Sequence, residues 1–185
     1  INDDITTNRQ IVRNTYDAMG QLKNKKIGQQ KDINGNLTTT PLEEQNYNYN
    51  IRGWLKGLNW DYADNAGGTK AQTNKWFSMD LSYDWGFDNN QHSGNIGGMR
   101  WNTGGSKEER AYGFGYDAVN RLLYGDFNQQ FGTAWQKNDP APGSNFTIDF
   151  SMKMGDGINY TSAYDENGNI KQMQQNGLKI NASPL

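Results

Sequence analysis

The chain has 185 residues, 16 of them Tyr or Trp, with a formal net charge of −2 and no cysteine. The lack of cysteine excludes disulfides, thiolate metal sites and cysteine nucleophiles, and the near-neutral charge argues against a nucleic-acid partner. No run of 18 apolar residues is present to span a membrane. Because the Tyr and Trp side chains provide large contact areas, we expect one folded, aromatic-rich domain over residues 1–185.

Alternating apolar and polar residues predict four strands of an antiparallel sheet with one solvated face. The residues predicted to face inward are, in chain order, Tyr47, Tyr49 and Ile51; Phe77, Met79, Leu81, Tyr83 and Trp85; Tyr112, Phe114 and Tyr116; and Phe146, Ile148, Phe150 and Met152. In the second strand, Ser78, Asp80, Ser82 and Asp84 would occupy the solvated face.

Loops are predicted where Gly, Asn and Pro cluster without periodicity, at residues 62–74 and 132–145. The segment "SKEER" from Ser106 is interpreted as a polar loop. No window keeps an apolar stripe of helical period for three turns. The sequence therefore predicts many short strands and turns.

A motif of the form Tyr-Asp-x-x-Gly-x-Leu/Ile recurs along the chain. Copies begin at Tyr16, Tyr49, Tyr83 and Tyr116, spaced by 33, 34 and 33 residues, and a fifth begins at Tyr164 after 48 more. The third copy, "YDWGFDNNQHSGNI", contains seven extra residues. A sixth copy, "DINGNL" at 32–37, lacks the tyrosine. Such regular spacing indicates a structural repeat.

Backbone chemistry predicts that each motif is the turn of a β-hairpin. The tyrosine would anchor the incoming strand, the aspartate would accept bonds from amides two or three residues on, and Gly or Asn would take the left-handed position. The anchors are Tyr16, Tyr49, Tyr83, Tyr116 and Tyr164; the acceptors are Asp17, Asp84, Asp117 and Asp165; the turn positions are Gly20, Gly53, Gly94, Asn120 and Gly168. Calcium binding is the weaker interpretation, since an EF-hand loop needs Gly at position 6 and here it stands at position 4.

Together with "YNYNIRGWLKGLN", "FSMDLSYD", "GNIGGMRW" and "RAYGFGYDAVNRL", the motif resembles the bacterial YD-repeat or Rhs (rearrangement hot spot) family over residues 10–175. The resemblance implies an all-β fold of consecutive antiparallel hairpins that form a curved sheet or part of a hollow β-shell. It also implies a fragment of a larger secreted or cell-surface bacterial protein, whose shell encloses a toxin domain. Asp139-Pro140 lacks the context of the self-cleavage motif found in many members.

The function predicted from these features is structural and non-enzymatic, with no catalytic residue, metal or cofactor assigned. His92 lies in a polar insertion, and the sequence reveals no nucleophile or metal ligand that would act with it. The acidic pairs Glu43/Glu44 and Glu108/Glu109 are adjacent, so their side chains would point to opposite faces. A glycoside hydrolase-like enzyme, which needs two carboxylates across a cleft, is the least favoured alternative.

Carbohydrate binding is the main alternative function. Trp60, Trp101 and Trp135 stand beside predicted loops, where their rings could stack on sugars. The competing interpretation is that these rings cover the sheet or pack against neighbouring repeats. Because each repeat buries its apolar face only against neighbours, the expected partners are flanking repeats and, through open sheet edges, a second copy of the chain.

Overall fold

Antiparallel β-structure forms nearly all of the regular backbone, as the alternating sequence predicts. The structure, a computed structural model, describes residues 9–63, 75–105, 108–131, 134–137 and 147–177. These residues include eleven strands in one sheet, a four-residue helix α1 (Trp60–Ala63) and a 3₁₀ turn at Tyr160–Ser162. None of the helices in these residues is long and apolar enough to cross a lipid bilayer. The all-β fold of consecutive hairpins is thus confirmed.

Strand order follows chain order from the first strand to the eighth. The tenth strand then pairs with the eighth and the eleventh with the tenth, while the ninth also pairs with the eighth. The strands are β1 (Val12–Tyr16), β2 (Leu22–Ile27), β3 (Glu43–Tyr49), β4 (Leu55–Leu58), β5 (Phe77–Ser82), β6 (Gly98–Thr103), β7 (Arg110–Tyr116), β8 (Leu122–Phe131), β9 (Ala134–Gln136), β10 (Met152–Met154) and β11 (Met173–Gln175).

Residue contacts divide the chain into two compact units. Unit 1 comprises Ile1–Asp80 and Asn102–Lys107, and unit 2 comprises Leu81–Trp101 and Glu108–Leu185. Each unit has its own buried residues.

In unit 1 the polar side of β5 is buried, so the predicted solvated face is wrong at this strand. Ser78 and Asp80 are only 0% and 4% exposed. Asp80 pairs with Gly57 on β4, and a Cβ added at Gly57 would lie 2.9 Å from the Cβ of Trp60 in α1. The short helix therefore lies against Gly57 of β4, beside Asp80, on a side that the alternation assigned to solvent.

Buried polar side chains of unit 1 are accommodated because they bond to backbone groups of neighbouring strands. Asn59, fully buried with a φ of 48°, accepts from the Asn46 amide at 2.9 Å and donates to the Phe77 carbonyl at 3.0 Å. The Ser78 hydroxyl donates to the Asn102 carbonyl at 3.3 Å. These bonds connect adjacent strands on the side that was predicted to be solvent-exposed.

Aromatic rings form the core of unit 2 around Phe127, which is 2% exposed. Its ring centroid lies 5.2 Å from that of Phe150, 5.4 Å from Tyr112 and 6.2 Å from Trp101. Tyr112 and Trp101 also stack on each other at 5.7 Å. These large rings provide the contact area that the few aliphatic residues do not.

Several predicted boundaries differ from the structure. Ile51 does not face inward, since it lies in a turn and is fully exposed. The predicted loop 132–145 contains the short strand β9. Of the inward-facing residues predicted for the strand in "NFTIDFSMK", Ile148 and Phe150 lie outside any strand and Met152 begins β10. Before β10, the Phe150 carbonyl accepts from the Tyr112 hydroxyl at 2.9 Å, and Ser151 Oγ accepts from the Phe127 amide in place of a backbone carbonyl. Phe146, residues 64–74 and residues 106–107 lie outside the described residues.

Candidate functional site

Within the described residues, five turns share one hydrogen-bond pattern. In each, the first residue's Oδ1 accepts hydrogen bonds from the backbone amides two and four residues further along the chain, at 2.8–3.0 Å. The sequence had predicted amides two or three residues further along. The residue three positions on has a φ between 65° and 84°. These first residues are Asp17, Asp32, Asn50, Asp117 and Asp165, and the left-handed residues are Gly20, Gly35, Gly53, Asn120 and Gly168.

In four of the tyrosine-containing motifs, the two ends pair with each other across the turn. Their antiparallel partners are Tyr16 and Leu22, Tyr49 and Leu55, Tyr116 and Leu122, and Tyr164 and Ile170. In the first three of these a register shift falls directly before the tyrosine. A type I turn followed by a left-handed residue produces this geometry. One seven-residue motif thus specifies the whole reversal of the chain.

Tyrosine hydroxyls connect one repeat to the preceding one. Tyr49 donates to the Leu22 carbonyl at 3.1 Å, and Tyr116 donates to the Ile96 carbonyl at 2.9 Å. Tyr164 donates to the Leu122 carbonyl at 2.5 Å. The acceptor is each time the last residue of the preceding motif that contains a tyrosine. We call these three contacts the inter-repeat tyrosine bonds.

Burial raises the pKa of two of the donors. It raises the pKa of Tyr116, against the opposing effect of the bond to Ile96, and it raises the pKa of Tyr164 with the help of the nearby Asp117 carboxylate. Arg121 adds a further link, because its guanidinium lies 4.7 Å from the ring centre of Tyr164 and its Nε bonds to Asp117 at 2.6 Å. Neighbouring repeats therefore meet through hydrogen bonds and a cation–π contact.

The third repeat departs from the pattern, and the prediction that Asp84 accepts the turn amides is wrong. Asp84 is exposed, and Ser82 Oγ instead accepts from the Trp85 amide at 3.3 Å and bonds the Trp85 carbonyl. Gly94 has a positive φ of 108°, but it lies within the longer loop that the seven extra residues create. Trp85 was predicted to face inward and is 37% exposed.

The fourth repeat tethers this longer loop. Asn120 Oδ1, at the left-handed turn position, accepts from Ser93 at 3.3 Å and from Asn95 at 3.0 Å. Asn89 donates to the Tyr124 hydroxyl at 2.7 Å. The loop is thus fixed over one face of unit 2.

A cleft of about 460 Å³ opens on that face. Register places the small residues Ala111 and Gly113 opposite Asn128 and Asp126, and the Phe87 ring lies over Gly113, 3.4 Å from where a Cβ would stand. The residues that line it include Trp85, Phe87, Asp88, Asn89, Arg100, Ala111, Gly113, Tyr124, Asp126, Asn128 and Trp135. We call it the Trp85–Trp135 cleft.

Charged and aromatic groups at the cleft are held in place. The Arg100 guanidinium lies 5.5 Å from the ring centre of Trp85. Asp126 accepts from Asn128 at 2.9 Å and from Lys137 at 2.7 Å. Burial favours a lower pKa for Lys137, but its bonds and charge attraction to Asp126 and Asp149 outweigh it and raise the pKa, so the ammonium stays charged beside the cleft.

The three tryptophans predicted to stack on sugars lie in different surroundings. Trp135 lines the cleft and is 42% exposed. Trp101 belongs to the aromatic core, where it stacks on Tyr112, and also lines a second hollow on that side. Trp60, 51% exposed, lies in α1 of unit 1. Sequence reasoning missed Trp85 as a cleft residue because alternation assigned it to the core.

Groups considered for catalysis are not gathered at one site. Glu44 accepts from Asn24 at 2.9 Å and Glu43 accepts from Gln45, so the adjacent carboxylates face apart. Glu109 is 3% exposed, whereas Glu108 pairs with Arg110 at the surface. Among the residues that the structure describes, no three His, Asp or Glu side chains lie close enough to hold a metal ion.

No known protein-family model matches the chain, and no curated protein matches it.

Proposed function

We propose that the chain is a structural segment of a larger protein of the YD-repeat or Rhs kind, and that it builds a β-scaffold rather than catalysing a reaction. The inter-repeat tyrosine bonds are the observation that carries this proposal. They recur at one motif position and join each donor repeat to the preceding one, which is how a repeat protein gains stability. The shared turn geometry supports the same reading.

The partners that we propose follow from the same repeat logic. They are flanking repeats of the parent chain, a second copy of this chain, and an enclosed toxin domain of the kind implied by the resemblance. Strand β1 stands first in the strand order, and its Val12 and Tyr16 are 45% and 60% exposed. An exposed edge strand suits pairing with another strand. The location that we propose is outside a bacterial cell or on its surface.

Hydrogen exchange on a Tyr164→Phe variant tests this proposal. Removing the hydroxyl leaves the Leu122 carbonyl without its bond, at a cost of about 1 kcal/mol. We expect backbone amides to exchange about fivefold faster both in residues 164–170 and, across the repeat boundary, in residues 116–122. Mass spectrometry of the exchanged peptides measures this.

Tyr160→Phe is the matched control, because Tyr160 is close in sequence and 38% exposed. Among the described residues, it makes no hydrogen bond to another repeat. It should leave exchange in residues 116–122 unchanged. If Tyr164→Phe changed exchange only near its own turn, the hydroxyls would be local features and the repeat-scaffold proposal would lose its support.

A further inference from the structure

We propose that the β1–β2 hairpin of unit 1 binds an anionic lipid surface. The hairpin, with the residues that flank it, spans residues 9–31, and we call it the basic hairpin. The proposal goes beyond the scaffold role and does not depend on what pairs with β1. Strand pairing uses backbone groups at the sheet edge, whereas the contacts proposed here use side chains.

Positive charge is concentrated in the basic hairpin. It contains six of the chain's 18 Lys and Arg residues but only one of its 20 Asp and Glu residues, Asp17. The rest of the chain has 12 Lys and Arg against 19 Asp and Glu, so the net charge of −2 conceals two parts of opposite sign. The cationic residues of the hairpin are Arg9, Arg13, Lys23, Lys25, Lys26 and Lys31.

The protein neutralises little of this charge by itself. Lys26 Nζ lies 3.8 Å from a carboxylate oxygen of Glu44 on β3, and both side chains are partly exposed. No salt bridge joins the other five cations to an acidic group among the residues that the structure describes. Arg13 stands directly opposite Lys26 in the strand pairing, where like charges repel each other. An anionic partner would relieve this repulsion.

Exposed apolar side chains lie among the cations. Ile11 is 78% exposed and Met19, in the turn between the two strands, is 79% exposed, while Val12 and Tyr16 on β1 are also exposed. A bilayer interface accommodates both kinds of group. Its anionic headgroups attract Lys and Arg, and the boundary with the acyl chains accepts aliphatic and aromatic side chains. The composition of the hairpin therefore matches an anionic bilayer.

The same composition favours a bilayer over a nucleic acid. The phosphates that dominate nucleic-acid binding offer no apolar region for aliphatic side chains such as Ile11 and Met19. A long polyanion that extended beyond the hairpin would also meet the acidic remainder of the chain. A bilayer can be contacted by the hairpin alone, because salt at about 0.15 M screens exposed charges more than about 8 Å away.

Sedimentation of the 185-residue chain with lipid vesicles tests the proposal. One set of vesicles is phosphatidylcholine alone, the other is equal parts of phosphatidylcholine and phosphatidylglycerol, and a DNA duplex is titrated in the same buffer. We expect binding to the phosphatidylglycerol vesicles that weakens as salt is raised, and none to phosphatidylcholine. No binding to phosphatidylglycerol, or equal binding to both sets, would overturn the proposal. Binding to DNA alone would assign the hairpin to nucleic acid and also overturn it.

Variants locate the binding surface. Arg13→Gln combined with Lys25→Gln should weaken vesicle binding about thirtyfold, since each cation near an anionic surface contributes about fivefold. Lys153→Gln combined with Lys171→Gln is the matched control, because it removes the same charge from two exposed positions of unit 2. It should leave binding nearly unchanged. Equal loss in the two double variants would mean that net charge alone attracts the lipid, and would refute the assignment to the hairpin.

Met19→Ser tests the apolar contribution. Its side chain is exposed in the turn, so the substitution should not disturb the fold. We expect weaker binding to the phosphatidylglycerol vesicles at low and at high salt alike, because salt does not screen an apolar contact. Unchanged binding would refute the insertion of this turn into the bilayer interface.

Discussion

At the scale of single residues, two positions of the turn motif have different roles. The acid or amide at the first position satisfies amides that the reversal would otherwise leave unpaired. The glycine or asparagine three residues on supplies a backbone conformation that other residues adopt only with strain. Asn120 fills the second position with a φ of 65° and makes a further contact, because its side chain accepts from Ser93 and Asn95 in the loop of the third repeat.

Gly20→Ala separates backbone strain from steric crowding. Gly20 has a φ of 80°, and a Cβ there would meet nothing within 4 Å. We expect a loss of about 1–2 kcal/mol in the free energy of unfolding, due to the left-handed backbone alone. Gly105→Ala is the matched control, since its Cβ also meets nothing and its φ is not in the left-handed region. It should change stability by less than about 0.5 kcal/mol. Similar losses in both variants, measured by urea denaturation, would rule out strain as the cause.

At the scale of strands and hairpins, period-2 alternation locates strands but does not say what covers each face. In β8 the residues that point to one side, such as Phe127, enter the aromatic core, and those that point to the other side, such as Asp126, line the cleft. On β5 the polar residues Ser78 and Asp80 are buried, and α1 lies against Gly57 of the neighbouring β4, which pairs with Asp80. The pattern of polarity along one strand cannot reveal a helix that packs beside it from elsewhere in the chain.

Phe127→Ala measures how much the aromatic core contributes to unit 2. We expect a loss of about 3–5 kcal/mol, because a fully buried ring that contacts three other rings would leave a cavity. Phe127→Leu, which fills part of that space, should lose less. Phe131→Ala on the same strand is the control, as Phe131 is 50% exposed, and should cost below about 1 kcal/mol. Denaturation midpoints give the comparison; equal costs at the two positions would mean that the cluster is not the core.

At the scale of the whole molecule, carboxylates distributed over both units link stability to pH. Hydrogen bonds from Asn36 lower the pKa of Asp32, and bonds from Asn169 lower the pKa of Asp165. At Asp149 burial favours a raised pKa, but bonds from Ser151 and Asn176 and the charge of Lys137 outweigh it and lower the pKa.

Acid should therefore destabilise the protein. The folded pKa of these groups lies below the ordinary value of 3.8, so their contribution is complete above that pH and is lost as pH falls through the folded values. For these groups, we expect the midpoint concentration of urea denaturation to stay constant between pH 7 and pH 5. It should decrease when the pH is lowered below about 4.

Asp165→Asn identifies one source of this acid sensitivity. The variant should be less stable at pH 7 and should lose less stability than the wild type on acidification. Asp84→Asn serves as the control, since Asp84 accepts no turn amides, and should keep the wild-type dependence. A wild-type midpoint that rose toward pH 3 would contradict the prediction.

The sequence by itself determined the turns, because every contact that shapes them lies within seven consecutive residues. It also determined the all-β class and the main strands, since alternation is a property of neighbouring residues. Tertiary structure alone decided the acceptors of the inter-repeat tyrosine bonds, which lie 20 to 42 residues away along the chain. It likewise decided the burial of Ser78 and the Trp85–Trp135 cleft. These features depend on which strands become neighbours and in what register, and no local pattern encodes that pairing.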